Sequence, residues 1–137
     1  GSVPFVIGGI FSEKPRVGDH WHADYEVSIC GETLPPFAQS PGGVHTHGGG
    51  RMHIHPNRAD EEGANANLAL FFANAGAELT DTSMRLPTRE TYANGDPCPD
   101  GRAGQLVVTV NGDPVDEPSA LVARDDDKVV IAFAAGP

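Results

Sequence analysis

Hydrophobic and polar positions alternate most sharply at residues 20–29. Trp21, Ala23, Tyr25, Val27 and Ile29 fall on one side of an extended chain, and His20, His22, Asp24, Glu26 and Ser28 on the other. Period two over that span predicts a strand with one buried face. The following "CGE" predicts a turn, and "TLPPFAQSPGG" a proline-held extended loop. Residues 43–56, "GVHTHGGGRMHIHP", predict a β-hairpin turning through "GGGRM". The period then changes. In "ADEEGANANLALFFANAG" acids come first, Leu68, Phe71, Phe72 and Ala75 recur at helical spacing, and Gly76 stops the run. This predicts the chain's one helix at about 62–76, with Gly63 and the asparagines weakening its start.

Residues 77–104 read as mostly loop, with one short strand near Met84 to Leu86. The last third is strand-like again: "QLVVTVNGDPV" bends at Asn111–Gly112, "SALVA" and the acidic turn "RDDDK" follow, and "VVIAF" closes the sheet. "EVSICGETLP" and "LVVTVNGDPV" share an outline of apolar strand, turn and short return, which predicts two similar hairpins. Residues 1–18 begin apolar and end at Pro15 and Gly18, so they read as an arm laid over the domain. The expected fold class is α+β, mainly β: a small antiparallel or mixed sheet with one helix, in a single domain over residues 19–137.

Composition adds to that picture mainly through charge. A chain of 137 residues is one domain's length, and 17 glycines with 12 prolines suit short strands and turns better than a helical bundle. The formal charge of −10, from 19 acidic and 9 basic residues, would repel a nucleic-acid backbone or an anionic membrane surface and favours cations as partners. No run approaches the roughly 18 apolar residues of a membrane span, so no direct membrane insertion by this segment is expected. Cys30 in "SICGET" and Cys98 in "GDPCPDG" form no C-x-x-C motif. A disulfide is the simplest pairing; it would stabilise the fold by about 4 kcal/mol and would imply an oxidising, extracytoplasmic location. Two inert buried thiols are the alternative.

The candidate chemistry lies in the histidines. There are six, and each belongs to an H-x-H pair: His20 and His22, His45 and His47, His53 and His55. In a strand, residues i and i+2 share a face, so each pair presents two imidazoles together. A symmetric hairpin would set His47 opposite His53 and His45 opposite His55, with Thr46 and Ile54 on the other face. If the strand 20–29 lies alongside, His20 and His22 extend the patch. Asp24 and Glu26 are then candidates for ligands or for acceptors of the imidazole N–H not bound to metal. Imidazole donors suit zinc or copper first, and nickel or iron also.

Taken together, "HWHADYEVSICGE", "GVHTHGGGRMHIHP", "NANLALFF" and "GDPCPDG" resemble a group of largely uncharacterised bacterial domains, many of them actinobacterial. These are exported behind a single N-terminal membrane segment. The resemblance spans about residues 18–133 and implies an extracytoplasmic place, secreted or held at the cell surface by a segment upstream. "HWHADYE" is similar to the H-x-H-x-x-x-E core of the first cupin motif, which implies a metal held by His20, His22 and Glu26, although the motif's spaced glycines and a second motif are missing. "VTVNGDPV…DDDKVVIAF" resembles a β-grasp ending, as in ubiquitin-like sulfur carriers, but "AAGP" lacks their terminal diglycine and so implies no carrier role.

The expectation is therefore an extracytoplasmic domain that binds a divalent transition metal for capture, buffering or sensing. The alternatives are a metalloenzyme with Glu26 or Asp24 as general base, or a surface module whose histidines bridge copies of the chain.

Overall fold

The period-two segment forms β1 (Trp21–Ile29), and the computed structural model describes the chain around it from residue 14 to residue 136. Most of the expected N-terminal arm therefore lies outside the described residues. Its last part runs along the 56–63 segment: Gly63 N donates to Pro15 O at 2.8 Å and Val17 N to a Glu62 carboxylate oxygen at 2.6 Å.

β1 turns through Cys30 and Gly31, at φ 50° and 90°, into β2 (Glu32–Thr33). Asn111 and Gly112, at 52° and 90°, make the same turn between β8 (Gly104–Val110) and β9 (Asp113–Pro114). Two successive left-handed residues match the right-handed twist of the flanking strands, which is why the two hairpins share an outline. The remaining strands are β3 (Val44–Thr46), β4 (Arg51–Ile54), β5 (Glu78–Leu79), β6 (Ser83–Arg85), β7 (Thr91–Ala93) and β10 (Lys128–Ala135).

The main sheet runs β3-β4-β1-β10-β8-β9, with β2 also paired to β1, and β5-β6-β7 form a small second sheet. β1 and β10 are parallel at the centre, while β10 pairs antiparallel with β8. Ala23, Tyr25 and Val27 of β1, Met52 and Ile54 of β4, Val108 of β8, and Val129, Ile131 and Phe133 of β10 are all buried. The helix, α1 (Leu68–Asn74), covers that face: Phe71 stands edge-on to Tyr25 at 4.9 Å between ring centroids, and Phe72 edge-on to Phe37 at 5.1 Å. Each such side chain contributes about 1.5–3 kcal/mol by leaving water. The sheet's other face carries the polar half of the alternation, including His22, Asp24 and Glu26 of β1.

Three elements differ from expectation for local reasons. The helix is shorter than 62–76 because Gly63 sits at φ 61° and Asn67 caps a later start, its side-chain oxygen accepting from Leu70 N at 2.9 Å. Residues 59–65 form two single 3-10 turns instead. Within "SALVA", Ser119 and Ala120 complete a 3-10 turn begun at Pro118, because Asp81 accepts from both the backbone N–H and the hydroxyl of Ser119, at 2.9 and 2.7 Å. The 77–104 segment holds three short strands where one is expected, since strands of two and three residues carry too little alternation to register. Among the described residues no helix is long and apolar enough to cross a membrane.

Cys30 and Cys98 form a disulfide across 68 residues, with Cα atoms 5.7 Å apart, tying the β1–β2 turn to the loop before β8. Substituting both cysteines by serine should lower the unfolding free energy by about 2–4 kcal/mol in denaturant titration; an unchanged midpoint would show that the cross-link contributes nothing.

Candidate metal centre

Strand register assembles the histidines. β4 pairs antiparallel with β1, setting His22 beside His53, and with β3 on its other edge, setting His45 beside His53. Three strands thus place His22, His53 and His45 in one row on the face opposite the core, and continuing the β1–β4 register brings His20 level with His55. The rings touch throughout: His20–His22 at 4.6 Å between centroids, His22–His53 at 4.7 Å, His45–His53 at 5.3 Å and stacked, and His20–His55 at 4.7 Å and stacked.

The hairpin register is shifted by two residues from the symmetric expectation. His45, and not His47, lies opposite His53, and His55 N donates to Gly43 O at 2.6 Å. The cause is Thr46. It is fully buried, its hydroxyl donates to Gly49 O at 2.9 Å and accepts from Gly48 N at 3.2 Å, and so the turn closes over residues 47–50. A shift of two preserves the facing of every side chain. His47 consequently sits in the turn, exposed, with its ring edge-on to His53 at 4.4 Å.

Among the described residues, two groups of three potential metal-ligating side chains result: His20, His22 and His53, and His45, His47 and His53. Within each group the ligand nitrogens lie within 4.8 Å of one another. Around tetrahedral zinc, nitrogens at about 2.0–2.1 Å from the ion stand about 3.3 Å apart, so ring rotations that move the nitrogens by about 1 Å would close either group on an ion. His55 belongs to neither group and reaches them through its contact with His20. Asp24 and Glu26 also belong to neither. Asp24 instead faces Arg51 at 3.7 Å in an exposed pair across β1 and β4.

His45 Nδ1 lies 2.8 Å from Gly42 O. A carbonyl can only accept, so Nδ1 carries the proton and the Nε2 lone pair is left free for an ion. Burial lowers the His45 pKa, the Gly42 hydrogen bond opposes this, and His47, His55 and His20 add to the lowering. His53, at the centre of the row, is pushed down from 6.5 to about 4, first by burial and then by the charges its neighbours His47, His22, His45 and His20 would carry. The central imidazole is thus neutral, its ligating form, at neutral pH.

Two acids outside the histidine words hold this face in place, and a reading of local pattern misses both. Glu61, 5% exposed, accepts from Gly43 N at 2.8 Å and Asn57 N at 2.9 Å, gripping the chain just before His45 and just after His55. Burial alone would raise its pKa, but the hydrogen bonds from Asn57 and Gly43 and the charge of Arg58 outweigh that and hold it below the usual value. A Cβ on Gly43 would come within 2.7 Å of Glu61 Oε1, so glycine is what lets the carboxylate approach. In the acidic turn, Asp125 accepts from His22 N at 2.8 Å and Asp126 N donates to His22 O at 2.6 Å. The spacing "ADEE" before a helix marks Glu61 only as a first-turn acid. Nothing local marks Asp125.

Comparison with protein-family models, curated proteins and solved structures gives no match, so the functional reading rests on this geometry.

Two outcomes follow. Glu61→Gln exchanges an acceptor-only carboxylate for an amide that cannot satisfy both backbone N–H groups, and should cost about 1–3 kcal/mol in denaturant unfolding. An unchanged midpoint would remove the carboxylate from the account. In metal-free protein, the unfolded chain protonates at His53 first as pH falls below 6.5, whereas the folded chain waits until about 4. The stability contributed by neutral His53 is therefore fully present above 6.5 and lost progressively towards about 4. Unfolding measured across that window should show a shallower pH slope in His53→Ala than in the parent, and identical slopes would contradict the shift.

Proposed function

We propose that this chain is an extracytoplasmic domain that captures or buffers a divalent transition metal on its paired histidines, with zinc or copper the first candidates. The observation that carries the reading is the convergence of His22, His53 and His45 from three adjacent strands, with His20 and His47 completing a group of three on each side of His53. Imidazole-only donor sets suit zinc, copper(II) and nickel, and the chain's charge of −10 draws cations towards it. The Cys30–Cys98 disulfide supports an oxidising, extracytoplasmic compartment, and a segment upstream that anchors the domain at the cell surface is part of the proposal.

Capture is favoured over turnover because Asp24 and Glu26, the carboxylates on the histidine face of β1, belong to neither histidine group, and Asp24 pairs with Arg51 instead. Titration calorimetry of untagged protein with zinc and with copper(II) at neutral pH should give binding in the micromolar range or tighter, weakening on acidification as protons compete for the imidazoles. Binding no tighter than about 1 mM for both metals would refute the role.

A further inference from the structure

His53 is common to both histidine groups. β4 lies between β1 and β3, so the His20–His22 pair approaches His53 from one side and the His45–His47 pair from the other. The His22 and His47 rings stand at 79° and 87° to it, with centroids at 4.7 and 4.4 Å. A neutral imidazole has one N–H and one lone pair, so His53 has a single lone pair to give. Serving both groups at once would require it to lose its second proton and bridge two cations. Among the described residues no carboxylate joins either group, and Asp24 on this face of β1 pairs with Arg51 instead.

We propose that the two groups are alternative positions for a single divalent ion: they compete for the His53 lone pair, so each chain holds one ion tightly, in either position. The inference rests on the metal-binding role above and deepens it. The His20–His22 and His45–His47 pairs are each a half-site that is complete only with His53, and the presence of two half-sites gives the ion two ways to be held without doubling capacity. It also assigns unequal weights to the histidines. Losing one pair leaves a working group, whereas losing His53 leaves two pairs of two.

The test is zinc titration of the untagged full chain at neutral pH, read by calorimetry and by competition with a chromophoric chelator. Four proteins are compared: the parent, His53→Ala, the double variant His20→Ala/His22→Ala, and the double variant His45→Ala/His47→Ala, with circular dichroism confirming the sheet. The parent should bind one tight equivalent, with any second at least about tenfold weaker. Each double variant should keep one equivalent within about tenfold of the parent, and His53→Ala should lose at least about 100-fold. Two equivalents of matching affinity in the parent would overturn the competition while leaving metal capture intact. Loss of tight binding in either double variant, or its retention in His53→Ala, would also overturn it. If His53→Ala does not fold, the parent's stoichiometry and the two double variants still decide. If the parent holds no tight zinc, the same four proteins are titrated with copper(II), and absence of tight binding of both metals would instead remove the underlying role.

Discussion

Main-chain pairing on both edges of β4 is the constraint from which the histidine face follows. β4 spans Arg51–Ile54, and its hydrogen bonds to β1 and to β3 fix which side chains stand side by side. Because facing alternates at every residue, a slip of one would bury His53 and expose Met52 and Ile54, which are 2% and 0% exposed. The cost of uncovering two such apolar side chains, about 1.5–3 kcal/mol each, holds the register. Core packing therefore positions imidazoles that take no part in the core.

The hairpin is also gripped from outside the sheet. Thr46 sets the length of its turn, Glu61 holds the main chain on both sides of the histidine words, and Asp125 with Asp126 holds His22. Asn74 of α1 donates to Val44 O at 3.1 Å and Ser40 N to Thr46 O at 3.0 Å, so the outer edge of β3 is covered as well. Charge on the neighbouring imidazoles would oppose charge on His53 at the centre of the row. Backbone clamps by carboxylates let such a row persist without carboxylate ligands in its midst.

How much of this was legible depends on range. The two faces of β1 and the pairing of histidines could be read because period two persists over a long strand, and the Asn111–Gly112 turn because its residue types fix its geometry. The α+β class followed from similarly local signs, and the disulfide from there being only two cysteines to pair. The hairpin register could not be read, since a buried Thr46 hydroxyl decided where the turn closes. Glu61 was legible only as a helix-start acid because its real partner, Gly43, lies 18 residues away in sequence. Asp125 is 103 residues from His22, beyond any pattern argument. Asp24 and Glu26 lie on the expected face of β1, yet being on the same face does not bring them into either histidine group.

The most direct measurement is nitrogen-15 NMR of the imidazole rings in histidine-labelled protein as zinc is added to one equivalent. The His53 ring nitrogens should shift with the first ion, together with those of His20 and His22 or of His45 and His47. Ring nitrogens that remain in place while zinc binds elsewhere, or a response that spares His53, would contradict it.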